Sequence, residues 1–160
     1  MNLELEKFIG KPIHEVLKLG EIDIKGENFY ALKLKNNGEF FGLPYSKLTV
    51  STNINKIVEL LYVVFPETLN KSFYNEMIKC YGSPNNILAN DKLISESKTE
   101  NYKGEDGAFN QNVIKRSYSM KEVNFEDKPI LIIWKKSYYQ IEMRFYYKEN
   151  GTQLTFRKLT

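Results

Sequence analysis

Alternation of apolar and polar residues with a period of two marks much of this chain. Phe29 to Lys35 alternates in this way, Glu39 to Leu43 resumes the pattern, and Asn36-Asn37-Gly38 between them carries turn chemistry. The segment therefore predicts a β-hairpin. Pro44 ends its second arm, and Leu48 to Thr52 predicts a further strand. Ile54 to Phe65 is nearly all apolar, and its β-branched and aromatic residues (Ile57, Val58, Tyr62, Val63, Val64, Phe65) favour a strand buried on both faces. Near the C-terminus Pro129 opens Ile130 to Trp134, and Lys135-Lys136-Ser137 turns the chain. Tyr138 to Tyr147 then places Ile141, Met143, Phe145 and Tyr147 on one face, and Gln140, Glu142, Arg144 and Tyr146 on the other. Asn150-Gly151 is a second hairpin turn, and Thr152 to Lys158 closes a three-stranded meander, to which Val113 to Phe125 can add a strand.

Helical spacing appears twice. Ile13, Val16 and Leu17 fall on one face of two turns, with Pro12 suited to the first turn and Gly20 to the cap. The second helix starts at Thr68 or Asn70 and ends at Tyr81, with Phe73, Met77, Ile78 and Tyr81 on one stripe, Gly82 as cap and Pro84 barring continuation. After it, residues 90–112 are rich in Asn, Ser, Lys, Glu and Gly and predict a long polar loop. The expected architecture is a single α+β domain over residues 1–160. It has a mainly antiparallel sheet of about seven strands with two helices packed on one face. The order is helix, four strands, helix, loop, three strands.

Composition sharpens this picture. A chain of 160 residues is sized for one core, and its 14% aromatic content, with eleven Tyr and ten Phe, favours sheet. One Cys and one His make an internal disulfide impossible and cannot close a four-ligand zinc site. The acidic start around Glu4 and Glu6 differs from the basic end of a signal peptide, and the longest apolar run, Leu60 to Phe65, falls far short of the roughly 20 residues that span a bilayer. The expectation is a cytoplasmic protein with no membrane partner. The net charge of +3 hides an asymmetry, since residues 1–110 carry 13 basic against 15 acidic side chains and residues 111–160 carry 10 against 5. A basic second half permits an anionic partner.

Candidate chemistry is sparse. His14 and Cys80 would have to meet in space to form a nucleophile pair, and Cys80 sits near a helix C-terminus, where the dipole disfavours a thiolate. Glu105-Asp106 and Glu126-Asp127 read as turns, and the nine Gly are scattered singly rather than gathered in a phosphate-cradling loop. No catalytic residue, metal ligand or cofactor is predicted. A hydrolase using carboxylates such as Glu59, Glu76 or Glu142 remains an alternative that only the fold can judge. The most suggestive set is aromatic and basic: Trp134, Lys135, Lys136, Tyr138, Tyr139, Arg144, Tyr146 and Arg157, with Tyr118 and Lys158 nearby. Such a mixture suits a protein interface, where Tyr, Trp and Arg are enriched, and also single-stranded nucleic acid, whose bases stack while its phosphates are neutralised.

The string Phe8-Ile9-Gly10-Lys11-Pro12, the helix end Tyr81-Gly82-Ser83-Pro84 and the closing strands around Trp134 and Ile141 to Tyr147 are similar to those of small bacterial α+β proteins, some encoded beside toxins and regarded as immunity proteins. The resemblance follows the order of elements and assigns no catalytic residue. It implies a non-catalytic protein-binding protein that neutralises a toxin by occlusion, its partner a toxin or a complex subunit. Single-stranded nucleic-acid binding through the C-terminal sheet is the alternative.

Overall fold

In β4 (Val58–Phe65) the apolar run sorts itself by face. Val58, Leu61, Val63 and Phe65 are buried, whereas Leu60 and Tyr62 are half-buried and Val64 is 53% exposed. The strand expected to be covered on both sides is covered on one. The computed structural model describes residues 4–101 and 111–160.

A short 3₁₀ turn (Leu5–Phe8) and α1 (Ile13–Leu17) lead into β1 (Gly20–Lys25), β2 (Phe29–Phe40), β3 (Leu43–Thr52) and β4. Then α2 (Lys71–Tyr81) precedes β5 (Asn86–Asn101), β6 (Gln111–Glu122), a second 3₁₀ turn (Phe125–Asp127), β7 (Leu131–Lys135), β8 (Tyr139–Tyr146) and β9 (Gly151–Lys158). The strands form one antiparallel sheet in the order β1-β2-β3-β4-β9-β8-β7-β5-β6. Each half of the chain is thus a helix followed by antiparallel strands, and the last strands of the two halves, β4 and β9, pair at the centre.

This corrects the expected architecture. The protein is mostly β, with nine strands among the described residues and two short helices, rather than an α+β fold of about seven strands. Two physical reasons account for the difference. Polar edge strands lack the apolar alternation that reports a half-buried surface: β1 is exposed over almost its whole length, and residues 91–99 of β5 are all exposed. Within the predicted loop, residues 90–101 belong to β5 and residues 111–112 open β6, whose remainder matches the strand expected at Val113 to Phe125; residues 102–110 lie outside the described residues.

The second reason is a displaced turn. Asn36-Asn37-Gly38 lies inside β2, at a register shift between Lys33 and Gly38. The chain reverses instead at Phe41 and Gly42, both with positive φ (47° and 81°), the signature of a two-residue hairpin turn. Phe41 tolerates this conformation because its ring packs edge-on against Phe40 at 4.8 Å and Phe73 at 5.3 Å. Gly38 is used for space rather than for turning, since a Cβ there would lie 2.2 Å from the Tyr45 ring. Pro44 accordingly sits just inside β3, where a strand can accept it.

Alternate side chains of the sheet build the core, with Leu32, Leu48, Val50, Leu61, Phe65, Ile132, Ile141, Met143, Leu154 and Phe156 among its members. From α2 come Phe73, Tyr74, Met77 and Tyr81. The helix begins where the Asn70 side chain accepts the Phe73 N–H at 3.1 Å, and it stops at Gly82, whose φ of 77° suits glycine. Trp134 is fully buried, and its Nε1–H donates to the Gly82 carbonyl at 2.9 Å, tying β7 to the end of α2.

Candidate interaction face

Residues directly opposite in an antiparallel pair point to the same side of the sheet, so register assigns every strand position to a face. The side away from α1 and α2 can be read across the centre in three rows. One runs Thr49, Tyr62, Thr155, Glu142, Ile133 and Asn86; another runs Ser51, Leu60, Arg157, Gln140 and Lys135. The third runs Val64, Gln153, Arg144, Leu131 and Leu88. No described element packs over these rows, and their residues are half-buried or exposed apart from Thr155.

The same side continues past the sheet. Only Asn86, Ile87 and Leu88 of β5 pair with β7, and beyond them β5 and β6 pair, among the described residues, with each other alone, forming a two-stranded ribbon. Register places Leu88, Asn90 with Met120, Leu93 with Tyr118, Glu96 with Arg116, and Lys98 with Ile114 on the face that continues the open side. Leu93, Tyr118, Met120 and Ile114 are each at least 40% exposed, unusual for large apolar side chains gathered on one surface.

Of the eight aromatic and basic residues singled out from sequence, the structure brings four to this face: Lys135, Arg144, Tyr146 and Arg157. Trp134 and Tyr139 point the other way, into the core. Lys136 and Tyr138 lie in the turn between β7 and β8, where the Lys136 ammonium donates to the Tyr81 carbonyl and the exposed Tyr138 ring meets Tyr139 edge-on at 4.9 Å. Arg157 is tied to Glu142 at 3.0 Å, and Glu142 also accepts from Gln140 at 2.7 Å. Arg144, between Leu131 and Gln153, has no ion-pair partner among the described residues. Sequence reading singles out Tyr118 but misses Leu60, Tyr62, Val64, Leu131, Ile133 and the ribbon's Leu93, Ile114 and Met120, because an apolar residue on an open face looks like a core residue until its neighbours are known.

The opposite side holds a cluster of ionisable groups. Glu6, on the first 3₁₀ turn, is half-buried and accepts a long hydrogen bond of 3.5 Å from the Tyr81 hydroxyl. Burial pushes its carboxyl above the ordinary range. Burial, followed by the charge of Glu6, pushes Tyr45 and Tyr139 up to about 12 and raises Tyr81 as well. The buried Tyr45 hydroxyl has no hydrogen-bond partner among the described residues.

The carboxylates considered for hydrolysis are dispersed. Glu76 is on α2, where it pairs with Lys79 at 2.6 Å, and Glu142 is on the far face of the sheet. Among the described residues no three His, Cys, Asp or Glu side chains gather as a metal ion would require. His14 on α1 and Cys80 on α2 are both exposed. No helix among the described residues is long and apolar enough to cross a membrane. Comparison with protein-family models, with curated proteins and with solved structures gives no match.

Proposed function

We propose that this chain is a non-catalytic protein-binding protein of the cytoplasm that docks its partner across the helix-free face of the sheet. The neutralisation of a toxin by occlusion is the form of this role suggested by the resemblance to immunity proteins. The observation that carries the reading is the uncovered face itself, continuous from β3 to the exposed apolar ribbon. The seven strands from β3 to β6 in sheet order, spaced at about 4.8 Å, make a surface roughly 34 Å wide, and about 25 Å of strand length gives on the order of 800 Å². A stable interface needs about 800 Å² from each partner. The composition fits too: Tyr62 and Tyr146 share this face with Arg144, an arginine without an ion pair among the described residues, and Tyr and Arg are residue types in which interface hot spots are enriched.

The test is binding to the product of a toxin-like gene adjacent to this one, measured by calorimetry. Arg144→Glu is expected to weaken the complex by about 100-fold, the scale of a hot-spot loss, without lowering the melting temperature. Absence of binding to that product, or full affinity in both Arg144→Glu and Tyr62→Asp, would sink the proposal.

Single-stranded nucleic acid is the second reading, favoured by Lys135, Arg144, Arg157 and Tyr146 sharing one face. It is the weaker of the two. Arg157 is already neutralised by Glu142, and Trp134, the largest stacking surface, is in the core. Salt-sensitive binding of an oligothymidylate, abolished by Arg144→Glu, would reverse the order.

A further inference from the structure

A cavity of about 370 Å³ lies between the start of α2, the second 3₁₀ turn and the end of β8, away from the docking face. Its walls are aromatic. Phe145 and Tyr147 stack with centroids 5.7 Å apart and 11° between planes, and Phe125 meets Phe145 edge-on at 6.2 Å. Its polar lining is mainly cationic. Lys71 sits 5.0 Å from the centre of the Phe125 ring and pairs with Glu126 at 2.5 Å. Lys128 has no ion pair or hydrogen bond of its side chain among the described residues.

Lys128 is also backbone-strained. It holds φ 55° and ψ 64°, the left-handed region that favours glycine or asparagine. The Tyr147 hydroxyl donates to the Pro129 carbonyl at 2.7 Å, so a ring that walls the cavity also anchors the turn displaying Lys128. The same lysine borders a second cavity, of about 640 Å³, at the base of the ribbon, with Lys121 on its rim. Lys128 ends the second 3₁₀ turn in this conformation, which fixes the direction of a side chain that has no ion pair or hydrogen bond among the described residues.

We propose that the smaller cavity binds a small aromatic anion, its ring against Phe125 and Tyr147 and its phosphate or carboxylate on the Lys128 ammonium. The volume is within the roughly 300–1,000 Å³ of small-molecule pockets. Two cations against the single carboxylate of Glu126, beside the N-terminus of an eleven-residue helix, favour negative charge. Flat apolar walls favour a ring over a bare ion. This site is independent of the docking face, and either proposal can fail without the other.

The experiment is an NMR titration of the ¹⁵N-labelled chain with phenyl phosphate and with benzoate. Methyl phosphate serves as charge without ring, and benzyl alcohol as ring without charge. Saturable shifts confined to the amides around 68–71, 125–128 and 145–147 are expected with an aromatic anion, at an affinity about tenfold above both controls. The stronger of phenyl phosphate and benzoate identifies the acid group. Lys128→Gly is expected to raise the melting temperature, by relieving the left-handed backbone, while weakening that binding about tenfold; Lys128→Arg should retain it. No shift at these amides, equal affinity for methyl phosphate, or unchanged affinity in Lys128→Gly would each overturn the proposal.

Discussion

Trp134 and Arg144 illustrate what decides a residue's role. Both belong to the same aromatic and basic stretch, yet one step of strand parity sends Trp134 into the core beside α2 and Arg144 to the open face. The indole of Trp134 is committed to packing and to the Gly82 carbonyl, so its burial supports the fold rather than recognition. Glu6 is the residue with the clearest pH signature. Its carboxyl is raised by burial, so the folded chain binds that proton more tightly than the unfolded chain. The associated stability is fully present below the ordinary value of 4.5 and is lost as pH rises through the raised folded value. Glu6→Gln is therefore expected to stabilise the protein at pH 7 by a few tenths of a kcal/mol, a figure reduced because the group is half-exposed and screened by water. The gain should disappear in melts at pH 3, and a gain undiminished there would contradict the assignment.

At the scale of elements, the β5–β6 ribbon is the exception. A two-stranded hairpin is marginally stable alone, and beyond Leu88 no third strand among the described residues pairs with this one. It contributes little to the core: Ala89 is buried, but residues 91–99 and 114–118 are exposed. Its ion pairs, Arg116–Glu96 at 2.7 Å and Lys121–Asp91 at 3.8 Å, are at the surface and are worth little each. Amide hydrogen exchange should therefore show the ribbon opening at a small fraction of the global free energy, with β4, β8 and β9 the slowest. Protection of residues 92–98 equal to that of β9 would mean that the ribbon is covered in the free protein. Its first strand, β5, was also the element least legible in sequence, whereas β6 covers most of the strand expected at Val113 to Phe125. A strand exposed on both faces has no apolar alternation, and its run of Asn, Ser, Lys and Glu is indistinguishable from a loop until the partner strand is known. In contrast, α2 was legible almost to the residue, because capping is local chemistry: Asn70 starts it and Gly82 ends it.

The whole molecule is held at the β4–β9 seam. Leu61 lies opposite Phe156 and Val63 opposite Leu154, and all four belong to one core shared by the two halves of the chain. Such a core predicts one cooperative transition. Phe156→Ala is expected to cost about 3–5 kcal/mol and to lower a single melting transition, observed alike in both halves. Separate transitions for the two halves would show that the seam is only a contact between independent units.

Local features were determined by the sequence alone: the extent of α2, the positions of the C-terminal strands, and the scarcity of thiol and imidazole chemistry that follows from one Cys and one His. These depend on side chains close along the chain or on simple counting. Which hairpin turn is used, how many strands join the sheet and which residues share its open face were decided only in three dimensions. Gly38 yields its turn because Tyr45 needs the space, and Leu131, Arg144, Gln153 and Val64 become neighbours only through pairing between strands far apart in the chain. Hydrogen bonding across a sheet is indifferent to sequence distance, so the surface that recognition would use is written in the register of the strands rather than in any single stretch of residues.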